Sequence, residues 1–442
     1  MLSKEQVKEI VDNAKKYLKG LEWEIGIDST NIGTTRFANS IIHQNMGVHR
    51  PFLWVRIINK NRIGSATTTD LSEEGIKNVL ERAINLSKNK YAPKSEVPLP
   101  RKVKIEGGIS KKILVSPKER EEAVAKIVEV CKKNDLNAFG VIHTINNSLA
   151  IFNSNGVSNY YLLNWTYTTI TAMNEGASGF SFAIEKDFYK IDFKELARVA
   201  CEKALMAKNP RDIEPGKYTV FLEEAAVAEM ITFLAWLELG AKRFYEKTSL
   251  ISKKIGKKIT GKNITIYDDW QHKLTLGIPF DFEGVKRKKV ILIKNGIAKG
   301  IVTDSYFAKK LKMKNTGHSL MQPAPWGPFP LNLVLEKGDK KKEEMIKSID
   351  KGIYVTRFWY TRVVNPDKTL ITGMTRDGTY FIENGKISYP IKNMRFLINI
   401  YETLENVKMI SKEQKYYGEE LFGVVAPALV IENFNFQSKT EY

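Results

Sequence analysis

Apolar residues recur at helical spacing three times in the first 135 positions and alternate at strand spacing between the first two of these stretches. Val7, Ile10, Val11, Ala14 and Leu18 share one face of a helix that Ser3 and Gln6 open as a capping pair and Gly20 stops. Trp23, Ile25 and Ile27 then alternate, and Phe52 to Ile58 is a β-branched and aromatic run, so residues 21–67 read as β-structure. Ile76, Val79, Leu80, Ala83 and Ile84 mark a second helix, with Asp70 and Glu73 as its expected capping pair. A third opens at Ser116-Pro117-Lys118-Glu119 and buries Ala123, Ile127, Val128 and Cys131.

From Leu136 to Asn174 no residue is charged, yet Asn, Ser and Thr recur throughout, which excludes a membrane span. Asn153-Ser154-Asn155-Gly156 is a turn joining two strand-like runs, giving a β-meander with neutral faces. Such a face could bind peptide backbone, although burial against another layer is the simpler expectation. A helix over 193–207 ends in a break running from Lys208 to Gly216, the best boundary in the chain. The expected domains are 1–210 and 211–442. Beyond the break come a strand at Tyr218–Leu222 and a helix over Ala225–Phe244, apolar around most of its circumference. Short strands follow, with turns at Asn295-Gly296, Asp377-Gly378 and Asn384-Gly385 and helical interruptions near Ser305–Leu311 and Lys342–Asp350. The fold class is α+β: two domains, each mixing antiparallel sheet with helices, the second richer in strands.

Composition narrows the function classes. The 442 residues carry a net charge of +19, which first suggests nucleic acid. Residues 1–210 hold 31 basic and 23 acidic side chains and the rest 38 and 27, so the excess is spread over both halves. Its short clusters lack the interleaved aromatics of a single-strand platform, and nucleic acid is not the expected partner. Two cysteines, Cys131 and Cys201, cannot make a disulfide framework or a Cys-rich zinc site. The charged amphipathic start and the lack of a long apolar run predict a soluble cytoplasmic protein without membrane contact. Abundant Lys, Glu and Ile resembles a heat-adapted composition.

Several segments carry a resemblance. In the first half they are Arg36-Phe37-Ala38-Asn39-Ser40, Ile42-His43-Gln44-Asn45, Arg62 to Thr68, and the turn Asn153 to Gly156. In the second they are Phe280-Asp281-Phe282-Glu283-Gly284-Val285, Ile293 to Gly296, Asp304-Ser305-Tyr306, Asn315-Thr316-Gly317-His318 and Phe381 to Gly385. In order and spacing over some 400 residues these resemble the TldD/PmbA family, named historically as modulators of DNA gyrase. That resemblance implies a metallopeptidase-related function. TldD-type members look like zinc peptidases with an HExxxH motif at the start of a buried helix and a cysteine ligand near the C-terminus. PmbA (TldE)-type members resemble the same fold without those ligands, pairing with a TldD subunit to enclose a chamber for unfolded peptides.

In this chain Glu224 falls where the family's general base sits, while Glu223 and Ala228 occupy the two histidine positions. No cysteine follows Cys201, and the stretch from Tyr416 through Gly423 to Pro427 keeps part of the family pattern without a thiol. The resemblance therefore implies a PmbA-like subunit with no metal or other cofactor of its own, its zinc expected in a TldD-like partner. The partner would be that subunit or a second copy of this chain, the substrate an unfolded peptide. A second reading keeps it an active metallopeptidase with a rearranged site at Glu223 and Glu224. A third makes it a basic DNA- or gyrase-associated regulator.

Among the remaining candidates, His43, His49 and His143 read as structural. His272 sits beside Asp268-Asp269, and an oxygen-rich site combining Glu223, Glu224, Asp281 or Glu283 with His318 is a minor alternative. Asn315, Thr316, Gly317 and His318 form a Gly-flanked turn that could contact a peptide terminus, and they are the substrate-binding candidates. Asp281 and Glu283 imitate an acid/base pair but read as a strand-to-turn element. Phe358-Trp359-Tyr360, between Arg357 and Arg362, reads as a core or subunit-interface patch. No nucleophile elbow, Walker loop or dinucleotide fingerprint occurs.

Overall fold

A computed structural model describes residues 1–105, 113–174, 176–419 and 422–440. Strand-period alternation over the first 185 residues produces one antiparallel sheet of six strands. In chain order the elements are α1 (Lys4–Lys15), β1 (Glu22–Ala38), β2 (Ile41–Asn59), β3 (Arg62–Thr68), α2 (Glu73–Lys88), α3 (Pro117–Lys133), β4 (Asn137–Asn153), β5 (Ser158–Asn174), β6 (Ala177–Glu185) and α4 (Phe193–Met206). The strands lie in the order β3-β2-β1-β4-β5-β6. All four helices cover one face. Val7, Val11 and Ala14 of α1 and Ile76, Val79 and Leu80 of α2 pack on Ile25, Ile27, Val55 and Ile57. Ala123, Ile127 and Cys131 of α3 and Ala200 and Ala204 of α4 pack on Ile142, Ile170 and Ala172.

The capping boxes at Ser3–Gln6 and Ser116–Glu119 are both formed. For α2 the cap lies two residues beyond the expected one, at Ser72 rather than Asp70. Ser72 accepts the Gly75 N–H at 3.1 Å, while Asp70 receives the Ser72 N–H at 2.9 Å and so fixes the cap from outside.

The second half contains β7 (Gly216–Leu222), α5 (Glu224–Leu234), α6 (Ala241–Tyr245), β8 (Ile266–Asp268), β9 (Val290–Lys294), β10 (Ile297–Ala298), α7 (Ser305–Lys310), β11 (Asn332–Leu335), α8 (Lys342–Lys347), β12 (Lys351–Asn365), β13 (Leu370–Glu383), β14 (Lys386–Pro390), β15 (Met394–Asn399), α9 (Ile400–Glu405), β16 (Val407–Glu419) and β17 (Phe422–Lys439). These eleven strands form one mixed sheet. Within it β7 pairs with both β12 and β17, and β12, β13, β15 and β17 are linked in turn, so five strands close on themselves. Phe358, Phe396, Phe434 and Phe436 stack together in the core there.

Two sequence expectations change here. The apolar helix over Ala225–Phe244 is broken: α5 ends at Leu234, a π-helical turn spans Ala235–Leu239, and Gly240 is extended. The cause is a buried carboxylate. Glu238 accepts the N–H groups of Leu250 and Ile251 and the Tyr401 hydroxyl at 2.9–3.1 Å, and meeting these donors pulls the turn out of α-register. Asp377-Gly378 is no hairpin turn but lies inside β13, both residues at positive φ where the pairing with β12 slips. The bulge aims Asp377 at Arg357, and Ser178 of β6 donates to the same carboxylate at 2.7 Å.

Candidate functional site

β7 lies between β12 and β17, and its C-terminal end delivers the chain directly into α5. The Glu223 N–H donates to Val355 O at 3.0 Å, and Glu223 O receives the Val227 N–H, so the helix start is pinned to the sheet. Glu223 and Glu224 are 8% and 1% exposed, and Ala228 is fully buried. An unpaired carboxylate at such depth is costly. Each is instead matched to an ammonium. Lys203, reaching across from α4, lies 2.7 Å from Glu223 Oε1, and the Tyr354 hydroxyl donates to the same carboxylate. Lys342 lies 2.5 Å from Glu224 Oε1 as an ion pair off the hydrogen-bond axis. Burial pushes the Glu223 carboxyl up, but Lys203, Tyr354 and Lys342 outweigh it and hold it below its ordinary value. Burial and Glu223 push the Tyr354 hydroxyl well up, keeping it a neutral donor.

This donor set does not fit zinc. The metal would need deprotonated nitrogen, sulfur or oxygen ligands free to converge on it. Here one position is a methyl group and the two carboxylates are occupied by lysines. The thiols are elsewhere: Cys131 and Cys201 face each other at 3.6 Å between α3 and α4. Sequence reasoning found Glu223, Glu224 and Ala228 but missed Lys203 and Lys342. Only the need of two buried carboxylates for cations could have pointed to them. Part of the Tyr416–Gly423 stretch, residues 420 and 421, lies outside the described residues.

The turn expected to meet a peptide has its polar groups committed internally. His318 is fully buried, Nε2 bonded to Asp268 at 3.0 Å and Nδ1 to Thr316 at 3.0 Å. Thr316 is also bonded to Thr303, and Asn315 spans from the Gly317 N–H to the Ser305 hydroxyl. Asp268 in turn accepts the Asn332 N–H at 2.7 Å, so Asn315, Thr316, Gly317 and His318 join α7, β8 and β11 rather than opening to a ligand. Burial lowers the His318 pKa, and the imidazole serves as a neutral strut.

Asp281 and Glu283 also divide their roles. Asp281 accepts the N–H groups of Glu283, Val285 and Ser319 at 2.8–3.0 Å and closes the turn at Gly284. Glu283 meets Arg56 of β2 at 3.4 Å, and Arg56 meets Glu24 of β1 at 2.8 Å, a buried triad between the two halves. Burial raises Glu24 to about 7. Among the described residues no His, Cys, Asp and Glu side chains gather into a group able to hold a metal, so the oxygen-rich combination with His318 does not assemble.

Of the other histidines, His49 bonds Ser29 at 2.9 Å, and His272 Nδ1 accepts the Leu274 N–H. Phe358 is core, whereas Trp359 and Tyr360 are 42% and 60% exposed, covered by Arg357, Arg376 and Arg362. The neutral meander presents two faces. One packs on α3 and α4, and the other carries His143, Asn147, Trp165 and Tyr167 into an open cavity of about 710 Å³. Arg36, Arg50 and Trp54, on the same side of β1 and β2, also line it. The sequence reading left that cavity unrecognised, although even-numbered positions from Asp28 to Arg36 share one face by strand period.

A helix-covered antiparallel sheet, joined to a mixed sheet that feeds a buried helix carrying two paired carboxylates, defines an α+β protein. Two family models match: "PmbA/TldA metallopeptidase C-terminal domain" over residues 215–438 and "PmbA/TldA metallopeptidase domain 1" over residues 23–87. The chain belongs to the PmbA/TldD family. A metalloprotease PmbA homolog of Buchnera aphidicola is 25% identical over 383 residues, 82% of this chain and 81% of that protein. A metalloprotease TldD homolog of the same organism is 32% identical over 171 residues, covering 38% of this chain and only 35% of that protein. The crystal structure of TldE from Thermococcus kodakarensis superposes with a TM-score of 0.87 at 23% identity, covering 97% of this chain and 99% of that one. At that identity the likeness speaks for the fold. No helix among the described residues is long and apolar enough to cross a membrane.

Proposed function

We propose that this protein is the non-catalytic, PmbA/TldE-like subunit of a peptidase assembly, pairing with a zinc-bearing TldD-like subunit to process unfolded peptides. The observation that carries this reading is the pairing of Glu223 with Lys203 and of Glu224 with Lys342 at the family's ligand and base positions. A fixed ammonium beside each carboxylate supplies the positive charge that a metal would otherwise bring, and it does so without a Lewis-acid site for a carbonyl or a water. Glu224, ion-paired, is no free general base.

The test is metal analysis and peptide cleavage by the purified chain, alone and with a TldD-type subunit. Cleavage only by the pair, with zinc in the other subunit, is the expected result. Stoichiometric zinc and peptide hydrolysis by the lone chain would overturn it.

A further inference from the structure

The face of the six-stranded sheet turned away from the helices is lined by alternating side chains of β1, β2, β4 and β5 and closed at one end by Phe282 and Met321 of the second half. Its volume, about 710 Å³, is that of a ligand site rather than a packing defect. We propose that this face binds an extended peptide by a carboxylate, which Arg36 and Arg50 hold beside His143 while an apolar side chain rests against Phe282 and Met321.

Three observations carry this. Arg36 and Arg50 are exposed on the cavity rim, and neither has an ion pair or hydrogen bond among the described residues. Asp28, among the described residues the one acid lining the cavity, ion-pairs with neither of them; its carboxylate accepts from Asn147 Nδ2 at 2.9 Å and from the Thr30 hydroxyl at 2.7 Å. Positive charge is therefore in excess around His143, whose Nδ1 bonds Thr34 at 2.9 Å and whose Nε2 is left to the cavity. Burial and then Arg36, Arg50 and Arg120 lower the His143 pKa, which leaves the ring neutral and the site in want of an anion.

The second observation is the apolar end of the cavity, where Phe282 and Met321 are only partly buried and leave surface for a side chain. The third is spacing. His143 stands opposite Thr34 and Trp54 opposite Gly26, eight positions apart on β1. That is ~26 Å, the length of about eight extended residues. A single-stranded nucleic acid is disfavoured, because Trp54 and Trp165 are nearly fully buried and offer no free ring face for stacking.

The choice of a peptide rests on the peptide-handling reading above, but the test uses this chain alone. Failure here leaves the pairing with a zinc subunit untouched, and failure of that pairing leaves this site untouched. Calorimetry of the full chain would compare an N-acetylated octapeptide, Phe at its start and a free carboxylate at its end, with the same peptide amidated. A third, amidated peptide would carry Glu at its penultimate position, to separate a terminal from a side-chain carboxylate. The acid should bind at least about tenfold tighter than the amide, in keeping with a charge-assisted contact. Arg36→Gln and Arg50→Gln, both at exposed positions, should each remove about that factor for the acid and leave the amide unchanged. Equal affinity for acid and amide, no binding of either, or unaltered binding by both variants would overturn the proposal. So would displacement of the peptide by oligothymidylate at equal concentration.

Discussion

Lys203 of α4 and Glu223 at the head of α5 stand 2.7 Å apart, each nearly buried, and the pair joins the first half of the chain to the second. Tyr380 reinforces the junction by donating to Lys203 O at 2.6 Å. Glu223, at the head of the buried helix, is thus also a structural tie.

Lys203→Met should be strongly destabilising, because it leaves Glu223 buried with Tyr354 and a distant Lys342 for company. A loss of about 3 kcal/mol is expected, and adding Glu223→Gln should return part of it. Thermal unfolding of the two single variants and the double variant checks this. Additive losses would mean the pair contributes nothing as a pair.

Chelation should separate the metal dependence of this chain from that of the proposed pair. Incubating the purified chain with EDTA should leave its melting temperature unchanged, since Glu223 and Glu224 are held by lysines. Peptide cleavage by the assembled pair should be lost under the same treatment. A clear fall in melting temperature of the lone chain would count against the ligand-free reading.

Glu24 makes a prediction about pH. Its folded pKa, raised to about 7 by burial, exceeds the ordinary carboxylate value of 4.5. Between those limits the folded state binds a proton that the unfolded state has released. Its contribution is present below about pH 4.5 and is lost as pH rises through 7, with a slope of at most about 1.4 kcal/mol per unit. Glu24→Gln should flatten that part of the stability profile measured by denaturant titration.

Gly26 allows the Trp54 indole to lie across β1. A Cβ at that position would stand 1.9 Å from Trp54 Cζ2. Gly26→Ala should cost about 1–3 kcal/mol by overpacking and shift the tryptophan emission as the ring is displaced. Unchanged stability and emission would show that the ring has room to move.

Local signals decided most of what was legible in the sequence. Ser3, Ser116 and their partners cap helices by contacts three residues apart, and alternation along Ile25, Ile27 and Val55 sets the buried face, so both are readable from short windows. The helix expected over Ala225–Phe244 failed because Glu238 answers to Leu250, Ile251 and Tyr401, the last of which is 163 positions away. The turn Asn315–His318 shows the same limit. Its composition suited a binding loop, yet Asp268, 50 positions earlier, takes up the imidazole. Arg36 and Arg50 come to line one cavity only through the β1–β2 pairing.

The closed arrangement of β7, β12, β13, β15 and β17 has a consequence for synthesis. β7 is made first of the five, yet one of its two flanks is filled by Leu429–Phe436 of β17. The helix carrying Glu223 and Glu224 cannot reach its final seat until more than 200 further residues have left the ribosome. The six-stranded sheet, whose strands and helices are all complete by Met206, has no such wait. During translation it can stand as a finished platform, with Lys203 already in place before the carboxylate it will hold has found its position.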